Sequence, residues 1–211
     1  MPTTTPVLNP ALWTASREGR AEEVRRFLVE GAAIEERGGT SACTSLHIAC
    51  SYGREEVLLL LLQHGALVSV TDNDGRSPLH HAAIQGQGEV TRILLELKDS
   101  QRADVSAQDK EKSTPLHYAA YMGRESVAMM LLGKEADLQS KTNAGRTPED
   151  TATVRFHFKV AGMIKAEEER REAVHRAQCV AFAMGHQERL GLGSWVQELD
   201  AGVVQMVLER V

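Results

Sequence analysis

The sequence predicts an all-α solenoid: about five stacked helix-turn-helix units, the first and last atypical, followed by a helical C-terminal extension. Three observations predict it. The string Ser77-Pro-Leu-His-His-Ala-Ala-Ile-Gln-Gly86 recurs as Thr114-Pro-Leu-His-Tyr-Ala-Ala-Tyr-Met-Gly123, with a weaker copy at Thr44-Ser-Leu-His-Ile-Ala-Cys-Ser-Tyr-Gly53. Self-similarity at a near-constant spacing is the signature of a repeat array. That spacing is 33 positions from Leu46 to Leu79 and 37 from Leu79 to Leu116. The longer interval contains Lys98-Asp-Ser-Gln-Arg102, a polar stretch suited to a surface loop. Finally, only 4 % of the 211 residues are aromatic, which fits many thin layers better than one large core.

Residues 1–10 are expected to form a flexible N-terminus, 11–165 the repeat array, and 166–211 a helical extension or cap. The first unit opens on the eroded copy Leu12-Trp-Thr-Ala-Ser-Arg-Glu-Gly19 and continues through Val24, Phe27 and Leu28 to Gly31-Ala32. In the second, Val57 with Leu60, Leu61 and Leu62 leads to Gly65-Ala66. The third and fourth place Val90, Ile93, Leu94 and Leu95 before Ala103, and Val127, Met130, Leu131 and Leu132 before Ala136. A fifth opens on Thr147-Pro-Glu-Asp-Thr-Ala152, shows Val160, Met163 and Ile164 at matching spacing, then turns polar, as a capping unit should.

Each unit reads as a turn and two short antiparallel helices. Ser77 or Thr114 supplies an N-cap oxygen, and Pro78 or Pro115 takes the first helical position, where a missing N–H costs nothing. Ala82-Ala83 and Ala119-Ala120 keep this first helix thin, and Gly86 and Gly123 end it. The apolar face that follows has i, i+3, i+4 spacing. One such pair cannot bury its stripe alone, so stacking makes the core, at roughly 1.5–3 kcal/mol per buried Leu or Ile.

These strings resemble the ankyrin repeat, whose Thr-Pro-Leu-His-x-Ala hallmark and length they match from about Leu12 to Lys165. Ala42 and Lys112 stand where the turn glycine is expected, present as Gly75 and Gly145, and so are expected to strain or reshape their turns. Glu149-Asp150 replace Leu-His in the last unit. The resemblance implies that His47, His80 and His117 tie each turn to its helix by hydrogen bonds. It also implies that partners bind against the turn fingers and the exposed side of the first helices. Carried over residue by residue, that surface comprises Ser51 and Tyr52, Ile84 and Gln85, and Tyr121 and Met122, with Asn73, Asp74, Arg76, Lys110 and Glu111 at the fingers. Tyr and Met there suit protein recognition, because they bring wide contact area at modest ordering cost.

Other chemistries find little support. The three equivalent histidines lie one repeat apart, roughly 8–10 Å for packed helices, whereas one zinc ion needs nitrogens about 2.0–2.1 Å away. Asp72-Asn-Asp-Gly75 lacks the first and last ligands of a calcium loop, where Val70 and His81 fall instead. No nucleophile elbow, phosphate loop or dinucleotide fingerprint occurs. Cys50 lies one helical turn from His47 but occupies the slot of Ala83 and Ala120, as a buried structural thiol would. No catalytic residue, metal or cofactor is therefore assigned.

The formal charge of −5 and mixed finger charges argue against nucleic acid. The longest apolar run, Val57 to Leu62, is six residues, against the ~20 of a membrane span. The opening Met1-Pro-Thr-Thr-Thr-Pro lacks the pattern of a secretory signal, and three cysteines match no zinc or redox spacing. A monomeric protein with reduced thiols, in the cytoplasm or nucleus, is expected.

After Ala166, Glu167-Glu-Glu-Arg-Arg-Glu172 reads as a solvated helical face, and Val174, Ala177, Val180, Ala181 and Met184 restore an apolar stripe up to Gly185. Ser194-x-x-Gln197 reads as a capping box for a helix holding Trp195, and Val203, Val207 and Val211 share a face of a last one. This tail is expected to cap the stack. The order of repeats, then a small helical module with Cys179, looks a little like ubiquitin-ligase adaptors ending in a suppressor-of-cytokine-signalling box, although His175 stands where that box needs Leu. The reading is thus a non-enzymatic scaffold that binds a protein partner, with a ligase adaptor as the alternative.

Overall fold

The computed structural model describes residues 5–97 and 103–190. The polar insertion at 98–102 and the helices expected after 191 lie outside the described residues. Ten helices occur in the described residues, in five consecutive pairs: α1 (Thr5–Glu18) and α2 (Ala21–Val29), α3 (Ser45–Ser51) and α4 (Glu55–Gln63), α5 (Pro78–Gln85) and α6 (Gly88–Glu96), α7 (Pro115–Tyr121) and α8 (Glu125–Leu132), α9 (Pro148–Val154) and α10 (Phe158–Leu190). The first helices form one layer, α1 against α3, α3 against α5, and on through α7 to α9. In the second layer α2 packs on α4, α4 on α6 and α6 on α8. This is the solenoid that the repeat pattern predicts.

The chain divides into two compact units, residues 1–164 and 165–211. In the first, one apolar core runs through all five pairs. Leu12, Leu46, Leu79 and Leu116 are its first-helix members, and Val24, Val57, Val90, Val127 and Val160 its second-helix members, all essentially inaccessible. Ala82, Ala83, Ala119 and Ala120 are fully buried between neighbouring first helices, which explains why small residues are needed there. Helix α1 begins at Thr5, inside the stretch expected to be flexible, and Asn9 Oδ1 accepts a hydrogen bond from the Ala33 N–H at 2.9 Å. In the second unit, Glu167 sits at 2.6–2.8 Å from Arg170 and Arg171, one turn along α10, and these partners pull its carboxyl down to about 2. The helix runs past Gly185 to Leu190, because a lone glycine costs a helix only ~1 kcal/mol and does not end it.

Candidate functional site

The surface expected to bind is built on a hydrogen-bonded frame that starts at the N-caps. Thr44, Ser77, Thr114 and Thr147 are all extended at the N-cap position, and in each case the third helical residue returns a side chain to the cap N–H. In three units that residue is histidine. Nδ1 of His47, His80 and His117 accepts the cap N–H at 3.1–3.2 Å. The proton is therefore on Nε2, which donates to the carbonyl of Arg76, Ser113 and Arg146, each in the following repeat, at 3.1 Å. The histidines thus join each turn to its own helix and to the next turn. Burial lowers the His47 imidazole to about 4 and lowers His80 and His117 as well, so all three work as neutral rings.

A second ladder runs where the first helices end. Arg54 donates to the carbonyl of Arg17, Gln87 to Ser51, Arg124 to Ile84 and His157 to Tyr121, at 3.0–3.2 Å. The glycine after each helix makes this reach possible. At Gly86, φ is +77°, and an added Cβ would lie 2.7 Å from Arg124 Cδ.

A third ladder ties the fingers. The N–H groups of Asn73, Lys110 and Asn143 donate to the carbonyls of Ser41, Asp74 and Glu111, all at 2.9 Å. Ala42 and Lys112 at the finger tips have φ of +51° and +57°, the left-handed conformation that their glycine counterparts adopt freely.

These ladders place the sequence-assigned surface residues. Tyr52, Tyr121 and Met122 end α3 and α7 and are exposed by 50 %, 40 % and 39 %. Gln85 is exposed, whereas Ser51 and Ile84 are half-buried; their carbonyls receive the side chains of Gln87 and Arg124. At the fingers Asn73, Asp74, Lys110 and Glu111 are exposed and Arg76 is half-buried. Asn73 spends its amide on the Thr40 carbonyl, and Asp74 pairs with Arg76 at 3.1 Å. Tyr121 borders an open groove of about 410 Å³ with Glu111, Tyr118, Asn143 and Arg146 on its walls, and Arg155 stacks on its ring at 4.3 Å.

This architecture and its motif coincide with a known family. The family model described as "Ankyrin repeats (3 copies)" matches residues 7–72 and 46–142, more than half of the chain. The chain belongs to the ankyrin-repeat family. Over 74 residues, 35 % of this ankyrin-repeat chain and 7 % of the relative, it is 42 % identical to protein phosphatase 1 regulatory subunit 12A of Mus musculus. Over 61 residues (29 % and 8 %) it is 43 % identical to the ADP-ribosylation factor GTPase-activating protein AGD4 of Arabidopsis thaliana. Over 94 residues (43 % and 8 %) it is 32 % identical to transient receptor potential cation channel subfamily A member 1 of Homo sapiens. The chain therefore covers less than a tenth of each of these relatives. Ankyrin repeats generally mediate protein–protein interaction, and the family is generally non-enzymatic. Among the described residues no helix is long and apolar enough to cross a membrane.

The thiols fit this picture in one case and complicate it in another. Cys50 is fully buried, and burial pushes its thiol up, which leaves no nucleophile beside His47. Cys43, however, meets two residues of the next ankyrin repeat that sequence reasoning did not connect with it. His81 Nε2 lies 4.0 Å from Cys43 Sγ and 2.9 Å from Asp72 Oδ2, while His81 Nδ1 accepts from the Ser51 hydroxyl at 2.9 Å. Burial, reinforced by Asp72 and Asp74, raises the Cys43 thiol to about 11. Burial opposes ionisation of Asp72, yet hydrogen bonds from Arg76, His81 and Asp74 hold its carboxyl below the usual range. The signal was present as register: position 43 corresponds to 76, position 72 to 109 and position 81 to 118.

Proposed function

We propose that this ankyrin-repeat chain is a non-enzymatic scaffold that binds a protein partner through its fingers and first helices. The supporting observation is the exposure of Tyr52, Tyr121 and Met122 at helix ends whose equivalents need no apolar group to fold: Glu18 and Gln85 occupy the slot of Tyr52 and Met122, and Arg17 and Ser51 that of Tyr121. Large aromatic and thioether side chains concentrate binding energy at interfaces. The groove beside Tyr121 gives a partner side chain a place to insert. The fingers carry paired charges of both signs, as at Asp74 and Arg76, which suits a mixed peptide surface and not an extended polyanion. The partner meets a single copy of the chain, in the cytoplasm or the nucleus. No observation favours the ligase-adaptor alternative, and residues 191–211 of the segment expected to serve it lie outside the described residues.

Affinity capture with the parent and with Tyr52→Ala/Tyr121→Ala tests this reading. Partners retained by the parent and lost by the double variant, at unchanged thermal stability, support it. An unchanged set of partners removes the proposed surface from consideration.

A further inference from the structure

We infer that Cys43, Asp72 and His81 form a binding site for one zinc ion that clips the second ankyrin repeat to the third. The three ligand atoms, Sγ, Oδ2 and Nε2, all lie within 4.8 Å of one another, and the residues are buried or nearly so. Thiolate, imidazole and carboxylate are the three side chains that bind zinc. Tetrahedral bonds of about 2.0–2.3 Å imply ligand–ligand edges of roughly 3.3–3.6 Å. The Nε2–Oδ2 edge of 2.9 Å must open by about 0.4 Å and the Nε2–Sγ edge of 4.0 Å must close by a similar amount. The remaining Sγ–Oδ2 edge, at most 4.8 Å, must close by up to about 1.2 Å, so binding requires the Cys43 and Asp72 side chains to rotate toward each other.

The atoms behind the ligands are already held, as working metal sites require. Asp72 Oδ1 accepts from the N–H groups of Asp74 and Arg76, both at 2.9 Å, so Oδ2 is the oxygen left for a metal. The Ser51 hydroxyl sits 2.9 Å from His81 Nδ1. With zinc on Nε2 the ring proton moves to Nδ1 and donates to Ser51, while the Cys43 proton leaves to solvent. His81 keeps an edge to water, which leaves the fourth position for a water molecule.

The next junction shows what these three slots require. There Arg76, Asp109 and Tyr118 fill them: Asp109 Oδ1 accepts from two backbone N–H groups as Asp72 does, and its Oδ2 takes the Tyr118 hydroxyl at 2.6 Å. The Arg76 guanidinium lies 3.8 Å from the same oxygen and supplies a permanent cation beside a buried carboxylate. One junction earlier Cys43 replaces that arginine, and among the described residues the ion-pair partner of Asp72 is His81 alone, charged only if protonated. At the following junction the slots hold Ser113, Thr142 and Thr151, which need no counter-charge. A metal ion at the first of these junctions supplies the charge that Arg76 supplies at the second.

The full chain, stripped with chelator, is titrated with Co²⁺ as a spectroscopic stand-in and with Zn²⁺ in competition. One equivalent of Co²⁺ giving a thiolate charge-transfer band and tetrahedral visible bands, displaced by Zn²⁺, is the expected result. Cys43→Ser and Asp72→Asn are each expected to weaken binding at least tenfold, whereas Cys179→Ser leaves it intact. That control is needed because exposed Cys179 lies 3.7 Å from His175. The double variant Cys43→Arg/His81→Tyr rebuilds the Arg76–Tyr118 arrangement and is expected to fold with a thermal midpoint indifferent to zinc. Binding that survives Cys43→Ser, or that disappears with Cys179→Ser, overturns the proposal.

Discussion

Replacing His117 with alanine measures what the imidazole ladder contributes. The ring is 2 % exposed, accepts the Thr114 N–H at 3.1 Å and donates to the Arg146 carbonyl at 3.1 Å. Each hydrogen bond is worth about 0.5–1.5 kcal/mol net, and a stranded buried N–H adds about 1–3 kcal/mol. Thr114 is 1 % exposed, so its N–H has no ready substitute in water, whereas exposed Arg146 has one. With lost ring packing the sum is about 3–4 kcal/mol, a large part of a typical stability of about 5–15 kcal/mol. Urea unfolding followed by circular dichroism, at pH 8 in chelator, reads it directly. His117→Gln separates the two halves, because a glutamine carbonyl can accept the cap N–H, as Asp150 does from Thr147 at 3.0 Å. Glutamine is expected to lose about half of what alanine loses. An alanine variant within ~1 kcal/mol of the parent, or a glutamine variant as stable as the parent, refutes the idea that these rings link neighbouring units.

Gly86→Ala forces a Cβ against Arg124 at a φ of +77° and is expected to lower stability by about 1–2 kcal/mol, seen as a lower urea midpoint. Lys112→Gly relieves a φ of +57° and is expected to raise the thermal midpoint by about 2–4 °C, equivalent to about 1 kcal/mol; a drop would show that the lysine side chain outweighs the backbone strain. Acid should act earlier than carboxylate titration alone allows. Burial lowers His47 from 6.5 to about 4 and lowers His117 too, so the unfolded chain binds protons first. Stability is therefore fully present above pH ~6.5 and declines towards pH ~4, by up to ~3 kcal/mol for His47 alone. A urea midpoint unchanged between pH 7.5 and 4.5, in chelator, contradicts this.

The helix pairs were legible because their signals are local. Ser77, Pro78 and the glycine at 86 lie within one unit, and the apolar spacing of the second helices gives their buried faces directly. The unusual turns at Ala42 and Lys112 were legible for the same reason, since a missing glycine is visible in the repeat register. What one unit does to the next was harder to read. Arg124 reaching the Ile84 carbonyl, or His80 reaching Ser113, depends on stacking distance and not on any residue's neighbours in sequence. Ser51 and Ile84 illustrate the consequence: both sit at positions exposed by analogy, yet both are half-buried, and side chains from the following unit reach their carbonyls. The tie from Asn9 to Ala33, 24 positions away, is another contact that no local pattern announces.

If the slots and not the rest of the sequence determine junction chemistry, the zinc site should be portable. Asp109 is already presented like Asp72, with one oxygen held by two N–H groups and the other facing positions 76 and 118. The substitutions Arg76→Cys and Tyr118→His would complete the set there. The exchange removes the guanidinium hydrogen bond to Tyr118 at 3.0 Å and the contact with Asp109, so the metal-free variant should be less stable by about 1–3 kcal/mol. Metal should then restore it, and equilibrium dialysis should find two zinc equivalents per chain where the parent holds one. A variant that folds and holds one equivalent shows that position 109 lacks something position 72 has. The Ser51 hydroxyl behind His81 is the first difference to examine, because half-buried Ile84 occupies that slot one repeat later.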